Sequence, residues 1–391
     1  MLGQLADFKN GLGGRHGDHF KEEWPRASQI YSTPALVKLL GLLSPCFRFQ
    51  CVRGQEMSFR TENLNNGDKP MITKRTFGRL AIAAAAATLF TSAMAADVTV
   101  AYITNGNTNE GWTLINGGAK KAGQAKGVKF IELAAEKGEL SKQLAIVEDM
   151  ITRKVNAIAI APVDSAGIAP AINKALKAGI AVVAVDTGIT GAAITSYVAT
   201  DNIKAANVQG KWAAEQIKDG DTVIYVTGDQ GQSTGQERKK GFVDALNAVR
   251  KNVKVVEVPT TWDQTMAQNG VEAALRANPG VKVIACAWDG GALGAKAALM
   301  AAGKKPGDVK IAGFDGSPGG LDMMKQGWQQ ANAAQMLAKI GQVGVETAVA
   351  AAQGKKVDAR IDTGSFLVLP ANVDKFAADS GVGQFMKVKA K

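Results

Sequence analysis

The feature that most constrains this chain is a regular alternation of short apolar runs with longer amphipathic segments, beginning at Val98. The short runs have the length and β-branched character of buried strands, and the longer runs repeat with a helical period. Strands and helices that alternate in this way form parallel sheets covered by helices on both faces. The sequence therefore predicts an α/β fold from Val98 onward.

The alternation has two halves, separated by a short break predicted at Ser196–Asp201. The predicted strands are Val98–Ile103, Phe130–Leu133, Ala157–Ile160, Ala181–Val185, Thr222–Val226, Val253–Val258, Val281–Ala285 and Val309–Gly313. The predicted helices are Trp112–Lys126, Glu139–Arg153, Ala166–Ala178, Gln236–Val249, Thr265–Ala277 and Gly291–Ala302. A chain of 391 residues is long enough for two such domains.

The segment before Val98 has a different character. Residues 71–95 contain a basic start, a short alanine-rich apolar stretch and an Ala-x-Ala site at Ala93–Ala95, which is the pattern of a secretory signal peptide. We expect residues 1–70 to be a disordered, non-native extension translated from a start codon placed too far upstream. The alternative is a genuine N-terminal domain followed by an alanine-rich helix. The signal peptide predicts export to the periplasm.

Composition excludes several classes of chemistry from the exported part. Both histidines, His16 and His19, precede the signal peptide, so histidine-based triads, general bases and metal sites are excluded after it. Cys286 is the single cysteine there, and its apolar neighbours predict a buried strand residue rather than a disulfide. The positive charge is spread along the chain, whereas nucleic-acid binding favours one clustered basic face. We therefore expect no metal, no cofactor and no nucleic-acid partner.

Polar and aromatic residues follow the predicted strands, where the carboxyl ends of parallel strands meet at one edge of a sheet and ligands bind. They are Asn109, Trp112, Asp186, Arg238, Trp262, Trp288 and Asp315. Tryptophan rings stack on the C–H faces of a sugar or polyol, and carboxylates, amides and guanidinium bond to its hydroxyls. The set therefore favours a carbohydrate site. Each residue also has a structural alternative: Trp112 in the core, Asp186 and Asp315 as helix caps, and Arg238 on an exposed helix face.

The loop Gly228–Gly235 could be mistaken for a phosphate loop. It lacks the Gly-Lys-Ser/Thr ending that places a lysine on phosphate. The sequence instead predicts a binding-site loop that opens a helix.

Two further stretches carry a family resemblance. Gln236–Phe242 (QERKKGF) and Gly313–Pro318 (GFDGSP) are similar to motifs of periplasmic binding proteins of the ribose-binding type, the solute receptors of sugar ABC transporters. The resemblance covers about Val98 to Leu369. It implies two doubly wound parallel-sheet lobes joined by a three-stranded hinge. The first lobe would be residues 97–200 plus 336–362, and the second would be residues 201–335 plus 363–391.

The resemblance also implies which residues bind the ligand. Matched motif by motif, the family's contacts fall on Asn109, Trp112, Asp186, Arg238, Trp262, Asp315 and Gln335. Three positions depart from the family pattern. Thr187 stands where the family has an arginine, Trp288 where it has an asparagine, and Gly111 where it has one of two phenylalanines. These departures favour another pentose, a hexose, a deoxy sugar or a polyol over ribose.

The implied mechanism is hinge closure around the ligand, followed by docking of the closed monomer on an inner-membrane permease. An alternative is a sensor that presents the ligand to a chemoreceptor or sensor kinase. A transcription repressor with this core would need a helix-turn-helix where the signal peptide stands. A secreted sugar-processing enzyme could use Asp186 and Asp315 as acid and base, but Arg238 nearby would keep them ionised. Binding without catalysis is therefore the favoured function.

Overall fold

The computed structural model describes residues 98–106 and 109–388. The predictions for the extension 1–70 and for the signal peptide 71–95 lie outside these ranges. The α/β prediction is confirmed: the described chain forms two six-stranded sheets, each covered by helices. No helix in the described part of the chain is both long and apolar enough to cross a membrane.

The first sheet is parallel throughout, in the order β11-β5-β4-β3-β1-β2. Its strands are β1 (Thr99–Thr104), β2 (Lys129–Ala134), β3 (Ala157–Ile160), β4 (Ala181–Val185), β5 (Ser196–Ala199) and β11 (Arg360–Asp362). Its helices are α1 (Glu110–Ala125), α2 (Leu140–Thr152), α3 (Ala169–Lys177) and α9 (Leu337–Ala352), with a short 3-10 turn at Glu136–Gly138. We call this unit the first lobe.

Alternate residues of these strands enter two different cores. In β1, Val100 and Tyr102 pack in the core under α1 and α9, whereas Ala101 and Ile103 pack in the core under α2 and α3. Successive side chains of a strand point to opposite faces, so a strand covered on both sides must be apolar at every position. This explains why the central strands read as continuous apolar runs in the sequence.

The second sheet has the order β12-β10-β9-β8-β6-β7 and is parallel except for β12, which runs antiparallel to β10. Its strands are β6 (Thr222–Val226), β7 (Lys254–Val258), β8 (Val283–Cys286), β9 (Lys310–Asp315), β10 (Ala331–Gln335) and β12 (Ser365–Val368). Its helices are α4 (Asn202–Glu215), α5 (Ser233–Val249), α6 (Gln264–Ala277), α7 (Asp289–Ala301), α8 (Pro318–Lys325) and α10 (Val373–Asp379), followed by a 3-10 turn at Val382–Phe385. This unit is the second lobe.

The chain passes between the lobes three times: after β5, between β10 and α9, and between β11 and β12. Arg360 ties two of these passages together. Its guanidinium donates to the carbonyl oxygens of Ala199 and Thr200, both at 2.9 Å, and lies 4.3 Å from the centre of the Tyr197 ring. The first and third passages therefore lie side by side.

The predicted break at Ser196–Asp201 is wrong, because Ser196–Ala199 forms β5 and helix α4 begins directly after it. Asp201 caps this helix by accepting a hydrogen bond from Lys204 N at 3.0 Å. Cys286 is confirmed as a buried strand residue at the end of β8. Several predicted ends also move: α5 starts at Ser233 rather than Gln236, and β9 continues to Asp315.

Candidate ligand-binding cleft

A cleft of about 400 Å³, partly open to solvent, lies between the two lobes at the carboxyl ends of their strands. Its walls bring together all eight residues singled out in the sequence. The complete lining is Asn109, Gly111, Trp112, Ile115, Asp186, Gln232, Thr234, Arg238, Trp262, Trp288, Asp315, Gln335 and Leu337.

Asp315 ends strand β9 with a φ of +107°, an unusual backbone angle that aims its carboxylate into the cleft. Its Oδ1 accepts hydrogen bonds from Gln335 Nε2 at 2.8 Å and Arg238 Nη1 at 3.2 Å. Burial raises the pKa of this carboxyl to about 6, although Arg238 and Gln335 act in the opposite direction. The alternative that Asp315 caps helix α8 is wrong, because Ser317 is the cap residue and accepts from Gly320 N at 3.2 Å.

Arg238 projects from α5 and is only 4% exposed, so the alternative of an exposed helix residue is wrong. Its Nε donates to Asn202 Oδ1 at 2.9 Å, and its Nη1 donates to the carbonyl oxygen of Ala287 at 2.8 Å. The guanidinium lies 4.0 Å from the centre of the Phe314 ring. Its Nη2 has no hydrogen-bond partner in the described chain. A donor therefore remains for a ligand on an otherwise fixed side chain.

Asp186 follows β4 with a φ of +64° and is buried at the cleft wall. Its Oδ2 accepts a hydrogen bond from Thr187 Oγ1 at 3.0 Å. Burial raises the pKa of its carboxyl, and the charge of Arg238 opposes this only in part. The next helix along the chain is α4, which Asp201 caps, so the capping alternative for Asp186 is also wrong.

Three indole rings line the cleft. Trp112 lies on α1, packs in the core of the first lobe and also faces the cleft, so both of its proposed placements hold. Trp262 and Trp288 meet edge to face with their ring centres 5.4 Å apart. Trp262 lies directly over Gly228, where a Cβ atom would come within 1.9 Å of the ring. Only glycine at position 228 leaves room for this ring.

Asn109 and Gln335 stand at ends of secondary structure. Asn109 is the N-cap of α1, and its Oδ1 accepts a hydrogen bond from Trp112 N at 3.0 Å. Gln335 is the last residue of β10, where the chain returns to the first lobe. Its Nε2 is used by Asp315, but its buried Oε1 has no hydrogen-bond partner in the described chain. An acceptor at this position suits a ligand hydroxyl.

Five lining residues are not predicted individually by the sequence. Gln232 and Thr234 belong to the loop Gly228–Gly235, which the sequence indicates as a binding loop without showing which side chains face the ligand. Ile115 and Leu337 have no signal of their own, because in sequence they are indistinguishable from core residues. Gly111 stands out in the sequence only as a departure from the family pattern.

Two α/β lobes, three passages between them and a small polar–aromatic cleft define a bilobal solute-binding protein. A family model described as a periplasmic binding protein domain matches residues 100–356. This chain therefore belongs to the periplasmic binding protein family.

Individual relatives agree with this assignment. The ribose import binding protein RbsB of Salmonella typhimurium is 33% identical over 286 residues, covering 73% of this chain and 95% of that protein. An Actinobacillus succinogenes solute-binding protein with bound D-allose has 28% identity and a TM-score of 0.66, covering 71% of this chain and 99% of that chain. A Bacillus halodurans solute-binding protein with bound myo-inositol has 25% identity and a TM-score of 0.69, covering 73% and 99%.

Proposed function

We propose that this protein captures a monosaccharide or polyol between its lobes and delivers it to an ABC-type sugar importer. The observation that carries the proposal is the composition of the cleft, to which both lobes contribute. Two buried carboxylates, one guanidinium and three side-chain amides stand among three indole rings. The relative named for ribose import and the solved structures with bound D-allose and bound myo-inositol support a small polyhydroxylated ligand.

The atoms left available in the cleft match the needs of such a ligand. Hydroxyl groups would donate to Asp186 and to Oδ2 of Asp315, and would accept from Nη2 of Arg238. The buried Oε1 of Gln335 would accept one further hydroxyl proton. The tryptophan faces would cover the C–H surface of the ring. The proposed role is binding without turnover.

Movement of the lobes would admit and release the ligand. In the proposed motion, residues 98–200 plus 336–362 and residues 201–335 plus 363–388 move as two bodies about the three passages. The ligand favours the closed arrangement because only there do both lobes contact it. The closed form would then dock on a permease in the inner membrane, and the proposed location of the protein is the periplasm.

The ligand preference is proposed to differ from that of ribose-specific relatives. Thr187 removes one guanidinium from beside Asp186, and Trp288 adds apolar surface to the second lobe. Gly111 has no side chain to occupy the cleft beside Asn109 and Leu337. Fewer charged donors and more room favour a hexose, a deoxy sugar or a cyclic polyol.

A thermal-shift screen with pentoses, hexoses, deoxy sugars and polyols tests the proposal, since a ligand that binds the native state raises the melting temperature. Each compound that raises the melting temperature is then titrated calorimetrically into the wild type, Asp315→Asn and the surface control Lys239→Met. We expect Asp315→Asn to weaken binding by roughly a hundredfold and the control to leave it unchanged. Recovery of a chemically altered sugar after incubation with the protein alone would contradict the binding-only role.

A further inference from the structure

The side-chain amide of Gln232 bonds to both lobes at once. Its Oε1 accepts a hydrogen bond from Trp262 Nε1 at 2.9 Å within the second lobe. Its Nε2 donates to the carbonyl oxygen of Val163 at 3.0 Å in the first lobe. Gln232 itself is only 5% exposed. We propose that Gln232 is a positioning residue that fixes the Trp262 ring when the lobes are in contact.

The chemistry of an amide makes the two bonds interdependent. Rotation of the amide by half a turn exchanges its oxygen and nitrogen. The rotated amide would place its N–H groups against the indole N–H of Trp262 and its oxygen against the Val163 carbonyl, so both bonds would be lost. The Val163 carbonyl therefore selects the orientation that Trp262 needs. When the lobes separate, this selection ends and the amide is free to rotate and to bond to water.

Trp262 is a residue whose position needs such support. Its backbone φ of +63° is unusual for a tryptophan, and its side chain is half-buried. Its ring rests on the backbone at Gly228 and against the edge of Trp288. The Arg238 guanidinium also lies over this ring, 5.6 Å from its centre, and the hydrogen bond from the indole N–H to Gln232 is the directional contact that fixes the rotation of the ring. Gln232 also lines the cleft itself, and the effect proposed here acts on the cleft through Trp262.

Neighbouring bonds hold the Val163 carbonyl in place. Ser233 N donates to Ser165 Oγ at 2.9 Å, and Ser165 N donates to the carbonyl oxygen of Gly231 at 3.0 Å. Gly188 N donates to Ser233 Oγ at 2.8 Å. The bond from Gln232 to Val163 is thus part of a continuous interlobe contact. Lobe contact and the orientation of the Trp262 ring are coupled through one side chain.

The value of this coupling for ligand recognition rests on the proposed function, but the coupling itself needs no ligand. A double variant, Ser165→Cys with Ser233→Cys, tests it directly, because Ser233 N lies 2.9 Å from Ser165 Oγ across the contact between the lobes, and mass spectrometry verifies that the disulfide has formed. Oxidation would lock the lobes in contact, and alkylation of the two thiols with N-ethylmaleimide would keep them apart. Cys286 is buried and would stay unmodified in the native protein.

The readout is solvent exchange of the Trp262 indole N–H, measured by NMR and assigned with Trp262→Phe. We expect exchange to be roughly tenfold slower in the disulfide form than in the alkylated form. Adding Gln232→Met should reduce this difference to less than about twofold. Gln230→Met is the matched control and should leave the difference intact, because within the described residues the side chain of Gln230 bonds only to the carbonyl oxygen of Gly228 in its own loop.

Two results would overturn the proposal. Equal exchange rates of the Trp262 indole N–H in the disulfide and alkylated forms would show that contact between the lobes has no effect on the Trp262 ring. If the indole N–H still exchanges slowly in the disulfide form after Gln232→Met, its protection comes from burial alone and not from Gln232. Failure of every sugar to bind would contradict the proposed function and leave the exchange result unaffected, so the two failures are distinguishable.

Discussion

Arg238 and Asp315 form an ion pair inside the cleft, with Nη1 and Oδ1 3.2 Å apart and side chains only 4% and 12% exposed. Arg238 is held in place by Asn202 and Ala287, so the pair does not depend on a ligand for its geometry. The free-energy cost of desolvating and ordering these two charged side chains is therefore incurred on folding and not on ligand binding. A ligand would meet a preorganised donor and acceptor.

Removing one partner of this pair should be costly. Arg238→Met leaves the Asp315 carboxylate buried without its cation, and we expect a loss of about 3–5 kcal/mol in the free energy of unfolding at neutral pH. Urea denaturation measures the change. Lys239→Met is the control, since the Lys239–Glu257 pair is 34% and 41% exposed and should contribute less than about 1 kcal/mol. Equal losses in the two variants would show that the buried pair has no special role.

The raised pKa of Asp315 predicts a specific pH dependence of stability. Its pKa is about 6 in the folded protein and lies near the ordinary value of 3.8 in the unfolded chain. Between these values the folded state binds more protons, so raising the pH from about 4 to about 7 costs stability of the order of 1–3 kcal/mol. Asp315→Asn should remove this part of the decline.

Denaturation curves of the wild type and Asp315→Asn over that pH range give the comparison. The neighbouring charges that shift the Asp315 pKa are those of Arg238, which lowers it, and Asp186, which raises it. Asp186 and Asp289 also have raised pKa values, so some pH dependence will remain in the variant. An identical slope in both proteins would contradict the assignment to Asp315.

The fold was largely predictable because most of its central strands are almost entirely apolar. The exception is β10, which contains buried Asn332 and Gln335 and is absent from the predicted strands. Helix α4 is absent from the predicted helices for a physical reason: it carries the polar residues Asn202 and Gln209 on its buried side, which disguises its amphipathic pattern. Gln209 on this helix is fully buried and donates to the carbonyl oxygens of Cys286 at 3.0 Å and Gly313 at 2.8 Å. A buried polar residue that donates hydrogen bonds to carbonyl oxygens at strand ends cannot be distinguished from a surface residue in the sequence.

The site was predictable where a charged residue stands at the carboxyl end of a predicted strand, as Asp186 and Asp315 do. Gln232 could not be identified, because the residues that face it depend on the contact between the lobes. Its partner Val163 lies 69 positions earlier in the chain. Leu337 was missed for a different reason, since an aliphatic residue in a cleft and one in a core have the same local pattern.

Gly111 should influence ligand size. A Cβ atom at this position would lie 3.3 Å from Asn109 Oδ1 and 3.9 Å from both Asp315 Oδ2 and Leu337 Cδ1, so a larger side chain would extend into the cleft. We expect Gly111→Leu to weaken binding of a six-carbon sugar by roughly tenfold more than binding of a five-carbon sugar. Calorimetric titration of both sugars measures the ratio.

Gly117→Leu is the matched control for that prediction, because Gly117 lies on the same helix and a Cβ atom there would have no neighbouring atom within 4 Å. It should change neither affinity. If Gly111→Leu weakens both sugars equally, the space beside Gly111 does not set ligand size. If it leaves both unchanged, the added side chain does not reach the ligand.

Asp289 should support ligand binding without touching the ligand. Its carboxylate accepts from Ser317 N at 2.8 Å and from Asn332 Nδ2 at 2.6 Å, and so holds the turn that follows Asp315. Asp289→Ala should loosen this turn and weaken ligand affinity by about tenfold, as measured by titration at a temperature where the variant remains folded. Asp263→Ala is the control: Asp263 caps α6 through Met266 N at 2.7 Å, so its loss should cost about 1 kcal/mol of stability and no affinity. An unchanged affinity in Asp289→Ala would show that the turn keeps its shape without this carboxylate.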